Sequence, residues 1–591
     1  MTHRKRSCIL LAIALVLILL GSIFSNAINT DFGKIKTDRL YLVNDNGYTV
    51  SARIYIPKTA TQENPAPAMI VCPGGDSPSD LLTPWASEVA RRGFVVALVD
   101  YTGCGDTEVD GASQYFGSHG AMELETIYDY LAGRPFVNAA QIGVGGHSMG
   151  SLYSYCLSTK RPVSLVISDV IYSEAMPDHN MDFVQISGRH DEGLLARVNS
   201  IDELFTDPFL TELFGTEKIE PNTLYGSWED HNARIFYVIN QTHADDMYWG
   251  QMIRLINDSV MKSMDAPNPI PADNMIYGWN FVALLIVIIG IVMMLFCVAD
   301  ILLDSDLFSD LKLKAPEVTA GFAFKSKGWW ICAAILALIP MIAFLPGTAV
   351  GNQMASNRLF QLGTTPNGYL IWSLFSAVGM LVFFLVYHFC FGRKLGCDAS
   401  SYGVATGEGR KFHIGYVLKS ALFALILFML GYYVLMLVYR YADTDVHGLS
   451  VSFRLLNASK CATMPWYYLG MLPYFALVTL AGNTLQFKGD VSKGKAMTKS
   501  VIMGACIGMV GMLLLFVFYE VTLRLNRPFY TGHFAHFYLL LLSNVLPQFC
   551  VASALAIFIR RKTNSILPGI FIGTALVTFG LVSSNSIAMI I

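Results

Sequence analysis

A short motif in the first half of the chain has the residue types of an activated serine. Gly146-His147-Ser148-Met149-Gly150 is a G-x-S-x-G sequence inside the run IGVGGHSMGS. In such a motif the serine occupies a strained turn between a strand and a helix, and the flanking glycines allow backbone and substrate to approach closely. The pattern alone is weak, but an apolar β-type run (141–145) precedes it and a helix-compatible run (151–160) follows. The sequence therefore predicts Ser148 as a nucleophile.

The elements that must position this serine are predicted from alternating strand-like and helix-like runs between residues 40 and 262. Such alternation favours a mainly parallel sheet flanked by helices. Two runs joined by Asp45-Asn46-Gly47 read as an antiparallel hairpin (40–44 and 49–56). The other predicted strands are 68–72, 94–100, 163–168, 183–187 and 234–240, and the predicted helices are 81–92, 122–131 and 246–261.

Over about residues 40–265 the chain resembles the α/β-hydrolase family. The residues that carry the resemblance are the strand end Ile54-Tyr55-Ile56-Pro57, the turn Pro73-Gly74-Gly75, the run Asp100-Tyr101-Thr102-Gly103 with Gly105, and the segment 146–150. It looks closest to the esterase, dienelactone-hydrolase-like and serine-aminopeptidase-like branches. The resemblance implies an α/β-hydrolase sheet with flanking helices and covers less than half of the chain.

The resemblance also implies a catalytic triad in the chain order serine, acid, histidine. Ser148 is the expected nucleophile and His243, directly after the last predicted strand, the expected base. Asp191, after strand 183–187, is the expected acid that orients the histidine ring. Glu192 is adjacent to it, and Asp169, after the preceding strand, is an alternative placement in the family.

An oxyanion hole needs backbone N–H groups that face the developing negative oxygen. By resemblance to the family, one comes from Met149 and the other from Gly75, or from Asp76 beside it. The loop begins Pro73-Gly74, where the family commonly has His-Gly, and Ser151 stands where a third glycine is frequent. Residues 193–233 carry an apolar stripe that suits a lid, an acyl pocket or, slightly preferred, core packing.

Composition divides the chain into a polar first half and an apolar second half. Of the 591 residues 53% are hydrophobic and 14% charged, whereas soluble chains carry about 25% charged residues. Basic residues precede an apolar run at 8–24, which predicts a signal anchor, preferred over a cleaved signal ending at Ser25-Asn26-Ala27. Eight later runs are long enough to cross a bilayer: 278–301, 328–350, 368–391, 415–438, 464–485, 499–521, 536–559 and 566–589.

The placement of Lys and Arg predicts the orientation of these spans. Eighteen basic residues fall at one set of span ends and five at the other. Successive loops alternate between rich and poor in Lys and Arg along the whole series of spans. The N-terminus is therefore expected in the cytoplasm, with the sheet domain and the C-terminus outside. The predicted organisation is an anchor (1–28), an extracytoplasmic α/β-hydrolase domain (38–265), a Pro-rich linker (266–276) and a membrane domain of about eight helices (277–591). A bacterial cell membrane is the expected location.

These features predict a membrane-anchored serine hydrolase that cleaves a carboxylic ester, with a lipid-like or acylated substrate suggested by location. A peptidase of the same fold ranks second, because no acidic cluster suits a substrate amine. A transporter-like membrane protein with a hydrolase-fold regulatory domain is a further alternative. The expected partners are a small-molecule, lipid or peptide substrate and the lipid bilayer. The net charge of −3 gives no sign of a nucleic-acid partner. No cofactor and no metal site are expected, and the sequence leaves the oligomeric state open.

Overall fold

Nine strands form one mixed sheet in the computed structural model, which describes residues 3–109, 121–169, 179–195, 198–354, 356–407, 412–448, 451–525, 538–539 and 542–587. The strand order is β1-β2-β4-β3-β5-β6-β7-β9-β8. The strands are β1 Ile35–Val43, β2 Thr49–Pro57, β3 Ala66–Cys72, β4 Val95–Val99, β5 Val137–His147, β6 Leu165–Asp169, β7 Asp182–Gly188, β8 Leu224–Tyr225 and β9 Arg234–Ile239.

The central six strands are parallel, and the outer strands β1, β2 and β8 are antiparallel to their neighbours. Strands β3, β4, β6 and β7 are buried along their whole length. Helices cover both faces of such a sheet, and this explains why these strands are continuous apolar runs rather than alternating ones. The carboxyl ends of the parallel strands meet at one edge, where the candidate site lies.

The flanking helices follow the predicted positions with shifted ends. They are α2 Thr83–Arg91, α3 Met122–Ala132, α4 Met149–Ser158, α5 Glu192–Leu195, α6 Pro208–Phe214, α7 His243–Asp246 and α8 Gly250–Ser263. Helix α2 begins later than residue 81 because a 3-10 turn, Ser79–Leu82, precedes it, and Pro84 suits a first helical turn. Phe205, Leu210 and Phe214 of the 193–233 stretch pack in the core of the sheet domain.

The rest of the chain is helical, as the apolar runs predict. Its helices are α1 His3–Asn29, α9 Gly278–Leu303, α10 Lys327–Asn352, α11 Thr364–Tyr387, α12 Ile414–Tyr441, α13 Ala458–Gly482, α14 Gly494–Arg524, α15 Leu542–Thr563 and α16 Leu567–Ser584. The expected combination of an α/β domain with a helical region is therefore confirmed. We call residues 35–263 the sheet domain, and α1 with α9–α16 the helical region.

Seven of these helices are long and apolar enough to cross a membrane, which is compatible with a multi-pass membrane protein. They include α1, α9, α10, α12, α14 and α16, and α11 with the turn that extends it to Gly392. Helices α13 and α15 occupy two more predicted spans. Proline and aromatic residues lower the mean hydropathy of α13, and α15 ends in the three basic residues Arg560, Arg561 and Lys562. Parts of the predicted spans 536–559 and 566–589, and Arg410, Lys411 and Arg527 of the predicted loops, lie outside the described residues.

Helix α1 packs closely against α9 through small residues. A Cβ atom on Gly21 would lie 2.9 Å from Ala283 O, and one on Gly290 would lie 3.0 Å from Ala14 O. Such small residues let two helix backbones approach, which is a common packing device between membrane helices. Because α1 leads directly into β1 and α9 follows the sheet domain, this pair joins the sheet domain to the helical region.

A buried network of charges docks the sheet domain onto the loop between α12 and α13. Arg53 and Arg39 both pair with Asp445, the second at 2.8 Å. Arg454 lies 2.8 Å from Asp100 and 3.8 Å from Asp80. Burial on its own would raise the pKa of Asp100, but Arg454 and the Ser79 N–H hold that pKa below its usual value. The two parts are therefore held together by desolvated ion pairs.

Replacing Arg454 by methionine should destabilise the protein strongly. The change leaves the buried Asp100 and Asp80 without their shared cation, and losing one partner of a buried ion pair typically costs about 3–5 kcal/mol. We expect a clearly lower thermal unfolding temperature in detergent. The control is Arg254→Met on the exposed face of α8, which should change that temperature little. Equal unfolding temperatures for the two variants would contradict the docking role of Arg454.

Candidate active site

Ser148 occupies a strained turn between strand β5 and helix α4. Its backbone has φ 54° and ψ −119°, a region that L-residues rarely adopt and that persists only where the surroundings enforce it. The Ser148 N–H donates to Asp169 O at 2.8 Å. Ser151 Oγ lies 2.6 Å from Gly146 O and 2.5 Å from Asp169 O, which ties the turn to strand β6. The predicted elbow is thus present as a strand–turn–helix.

A side chain at either glycine of the motif would collide with neighbouring backbone atoms. A Cβ atom on Gly150 would lie 2.1 Å from Cys72 O, and one on Gly146 would lie 2.4 Å from the Gly150 carbonyl carbon. A Cβ atom on Gly74 would lie 3.0 Å from His147 Nδ1. The elbow and the loop after β3 therefore touch through backbone alone, which brings that loop beside Ser148.

Asp191 and His243 form a hydrogen-bonded pair at the ends of neighbouring strands. His243 Nδ1 donates to Asp191 Oδ2 at 2.9 Å, and the Leu194 N–H donates to the other Asp191 oxygen at 2.7 Å. Glu192 Oε2 accepts the His243 backbone N–H at 2.9 Å. With its proton on Nδ1, neutral His243 presents Nε2 as an acceptor, which is the tautomer that a general base needs.

Ser148 and His243 are not hydrogen-bonded to each other. In the part of the chain that the structure describes, the Ser148 hydroxyl has no hydrogen-bond partner. His147, the residue before Ser148, contacts His243: its ring centroid is 4.6 Å from that of His243, and its Nε2 donates to His243 O at 3.3 Å. Catalytic hydrogen bonds often form only once substrate is bound, so this geometry is compatible with His243 acting on Ser148.

Two more carboxyl groups lie near the pair, and burial acts on the pKa of both. Burial, together with Asp191, raises the pKa of Asp169 well above its usual value and that of Glu192 to about 8. Burial and the neighbouring His243 hold the pKa of His147 well below its usual value. Each of these shifts favours the uncharged form of its side chain.

The charge balance at His243 predicts an alkaline activity profile. Burial, the largest single contribution, lowers the pKa of His243, but the charge and hydrogen bond of Asp191 together with Glu192 and Asp169 outweigh it and raise that pKa to about 9. A histidine accepts a proton only in its neutral form, so kcat/KM for an ester should rise with pH and level off above about 9. A pH–rate profile of the purified protein measures this rise of kcat/KM with pH, which we call the pH–rate limb.

Glu192→Gln should move that limb to lower pH by about one unit, because it removes a negative charge beside the histidine while keeping an acceptor for the His243 N–H. The matched control is Glu203→Gln on an exposed turn, which should leave the profile unchanged. A limb below pH 7 in the unmodified protein would contradict the Asp191–His243 pairing.

The two N–H groups expected to form an oxyanion hole are near each other and available. Neither the Met149 nor the Gly75 N–H has an acceptor among the described residues. A Cβ atom on Gly75 would lie 3.9 Å from Met149 Sδ. Tyr101 Oη donates to Gly74 O at 3.0 Å and holds the loop in place. Both donors can therefore serve one developing oxyanion beside Ser148.

The helical region contacts two of the loops that form the site. Thr365 Oγ1 donates to Asp76 Oδ2 at 2.9 Å, and Ser586 also donates to Asp76. Arg524, at the end of α14, lies 2.7 Å from Asp245, two residues after the candidate base. None of these contacts was predicted from the sequence, because nothing local marks residues this far apart as neighbours.

Comparisons with known proteins give only partial similarities. No protein-family model and no curated protein matches the chain. A hypothetical protein from Pseudomonas aeruginosa is 20% identical, with 24% of this chain and 44% of that chain covered and a TM-score of 0.22. An esterase from Pyrococcus furiosus is 12% identical, with 39% of this chain and 94% of that chain covered and a TM-score of 0.28. Dipeptidyl peptidase 4 from Porphyromonas gingivalis is 14% identical, with 39% of this chain and 36% of that chain covered and a TM-score of 0.29. The chain thus spans less than half of the first of these structures.

Proposed function

We propose that this chain is a membrane-bound serine hydrolase of the α/β-hydrolase fold that cleaves a carboxylic ester. The observation that carries the proposal is the 2.9 Å hydrogen bond between Asp191 and His243 beside a serine at φ 54°. The sheet order, with a strand–serine–helix turn at the end of β5, supports the fold. In this proposal the sheet domain is the predicted 38–265 unit, between the proposed anchor (1–28) and the proposed linker (266–276).

In the first half of the reaction, Ser148 Oγ attacks the ester carbonyl carbon while His243 Nε2 takes the hydroxyl proton. The carbonyl oxygen becomes negative and accepts hydrogen bonds from the Met149 and Gly75 N–H groups. Asp191 stabilises the cationic imidazole. His243 then gives the proton to the leaving alcohol, and an acyl group remains on Ser148.

In the second half, water replaces the alcohol. His243 removes a proton from the water as it attacks the acyl carbonyl, the same N–H groups hold the oxyanion, and the proton returns to Ser148 Oγ as the acid leaves. All of the groups needed for both halves belong to this chain, and the mechanism uses no cofactor and no metal.

The membrane orientation is also part of the proposal. The segments that contact the sheet domain include Thr365 at the start of α11, the loop 442–457 and the end of α14. They lie at the span ends whose few basic residues predict an outer location. The loop that joins α15 to α16 instead contacts the loop after α9, through Leu313 N and Thr563 O at 2.9 Å. We therefore propose that the sheet domain and the C-terminus lie outside the cell membrane and the N-terminus in the cytoplasm.

Ester and amide cleavage are separated by a direct comparison of leaving groups. Purified protein should hydrolyse p-nitrophenyl butyrate, and its hydrolysis of alanine p-nitroanilide should be far slower, because no acidic cluster in the sequence stands out as a binding site for a substrate amine. Faster cleavage of the anilide would replace the esterase by a peptidase. Failure to cleave either compound, or any acyl ester, would overturn the hydrolase proposal.

A further inference from the structure

A large apolar cavity lies inside the helical region, on the side of the sheet domain. Its volume is about 340 Å³, within the range of small-molecule sites. Its walls come from α9, α12, α15, α16 and the loop between α12 and α13, and most of the lining side chains are aliphatic or aromatic. Representative wall residues are Leu295, Phe428, Gly431, Val551, Leu576 and Phe579.

A second, smaller cavity of about 50 Å³ lies at the oxyanion loop and borders the large one. It is lined by Gly75, Asp76 and Ser77, the loop expected to stabilise the oxyanion. It also shares Val451 and Gln548 with the large cavity, and we call these two side chains the junction of the two cavities. A path from the oxyanion loop into the helices would cross this junction.

The two cavities border different side chains of α16. Leu576 and Phe579 line the large cavity, and the small one is lined by Val577, Gly580, Leu581, Ser584 and, just after the helix, Asn585. On α9 the lining residues run from Ile288 to Leu295, roughly 15–25 Å along the helix from Gly278 at 1.5 Å per residue. Counted from Gly278, the chamber thus lies between about half and about five-sixths of the way through a hydrocarbon layer of about 30 Å.

The Gln548 side chain belongs to this junction and lines both cavities. A Cβ atom on Gly580 would lie 1.8 Å from Gln548 Oε1, so only glycine on α16 lets this amide take its position. The polar part of the path is thus at the oxyanion loop and the junction, and the walls beyond it are apolar. A ligand with a polar ester head and a long hydrocarbon tail matches this sequence of environments.

We infer that the large cavity is an acyl-chain chamber and that the substrate is a long-chain acyl ester supplied by the membrane. The inference rests on the proposed function and names its substrate class. The ester carbonyl lies at Ser148 with its oxygen towards Gly75, and the acyl chain passes Val451 and Gln548 into the chamber. Burying each methylene group of the tail in these walls favours binding of long chains over short ones.

The test fills the chamber and measures chain-length preference. Gly431 lines the cavity, and a side chain there meets only the end of Leu295 at 3.2 Å. Gly431→Phe should lower the ratio of kcat/KM for p-nitrophenyl palmitate to that for p-nitrophenyl butyrate by at least about tenfold. The matched control is Gly415→Phe, the same change on the same helix at an exposed position with open space around it, which should leave the ratio unchanged.

A second variant tests the path itself. Val451→Trp places a large ring at the junction of the two cavities and should also lower the palmitate-to-butyrate ratio. Labelling of Ser148 by a small fluorophosphonate reports on each variant whether the site is intact. Persistent labelling with an unchanged ratio in both variants would overturn the chamber and leave the hydrolase proposal standing. Loss of labelling and of all ester cleavage in the unmodified protein would instead refute the hydrolase proposal.

Discussion

Ser148→Ala is expected to lower kcat for ester hydrolysis by about 10⁵- to 10⁶-fold, the size of effect seen when the nucleophile of a serine hydrolase is removed. No neighbouring hydroxyl can replace it. Ser151, the nearest serine on the turn, is fully buried, and its oxygen is engaged with Gly146 O, Asp169 O and the Asp169 N–H. A stopped assay with p-nitrophenyl butyrate on purified protein measures the loss.

The matched control for this variant is Ser158→Ala. Ser158 lies on the same helix, is equally buried and donates only to Tyr155 O, so its loss should leave kcat within a few-fold of the unmodified protein. Thermal unfolding of both variants separates loss of chemistry from loss of fold. Retention of more than about one hundredth of the activity in Ser148→Ala would contradict the assignment of the nucleophile.

Asp191→Asn is expected to lower kcat by about 10⁴-fold while leaving the fold intact. An asparagine amide can occupy the same space, but it favours the wrong histidine tautomer, because its N–H₂ group would face Nδ1. It also removes the negative charge that stabilises the imidazolium formed in each half of the reaction. The pH–rate limb set by His243 should move to lower pH, since the Asp191 carboxylate raises that pKa.

The alternative acid provides the control for this prediction. Asp169 is also buried at the end of a strand, and its pKa lies well above the usual value because of burial and the nearby Asp191. Burial already disfavours the charged form of Asp169, so Asp169→Asn should change kcat by less than about tenfold. A larger loss in Asp169→Asn than in Asp191→Asn would transfer the role of the acid to Asp169.

Local sequence signals were sufficient to predict most of the strands and helices of the sheet domain. The Asp45-Asn46-Gly47 turn and the flanking alternating runs predicted a hairpin, and β1 and β2 pair across it with Val43 opposite Thr49. The apolar runs that precede Asp191 and His243 predicted strands, and β7 and β9 are neighbours in the sheet. Because parallel strands that lie side by side end at the same edge, a pattern of strands was enough to bring these two residues together.

The contacts between the sheet domain and the helical region could not be predicted in the same way. Asp76 is held by Thr365 and Ser586, which are 289 and 510 residues away in the chain. The Asp445 and Arg454 pairs join a loop between two apolar helices to strands far earlier in the sequence. Such neighbours follow from the packing of whole elements, and no periodicity or motif encodes them locally.

The helical region shows the limit of hydropathy as a guide to spans. Helix α13 was predicted from its apolar length, yet Pro465, Pro473 and a cluster of Trp and Tyr residues reduce its mean hydropathy. Helix α15 carries Arg560, Arg561 and Lys562 in its last turn. Length and apolar content thus predicted both helices, but the residues within them decide how strong the span signal is.

Labelling of intact cells with a fluorophosphonate that cannot cross the membrane tests the central claim most directly. The probe transfers its phosphonyl group to an activated serine with loss of fluoride, and peptide mass spectrometry locates the adduct. We predict an adduct on Ser148 in the unmodified protein and none in Ser148→Ala. The absence of labelling on well-expressed, folded protein, both in intact and in permeabilised cells, would contradict an activated serine at this site.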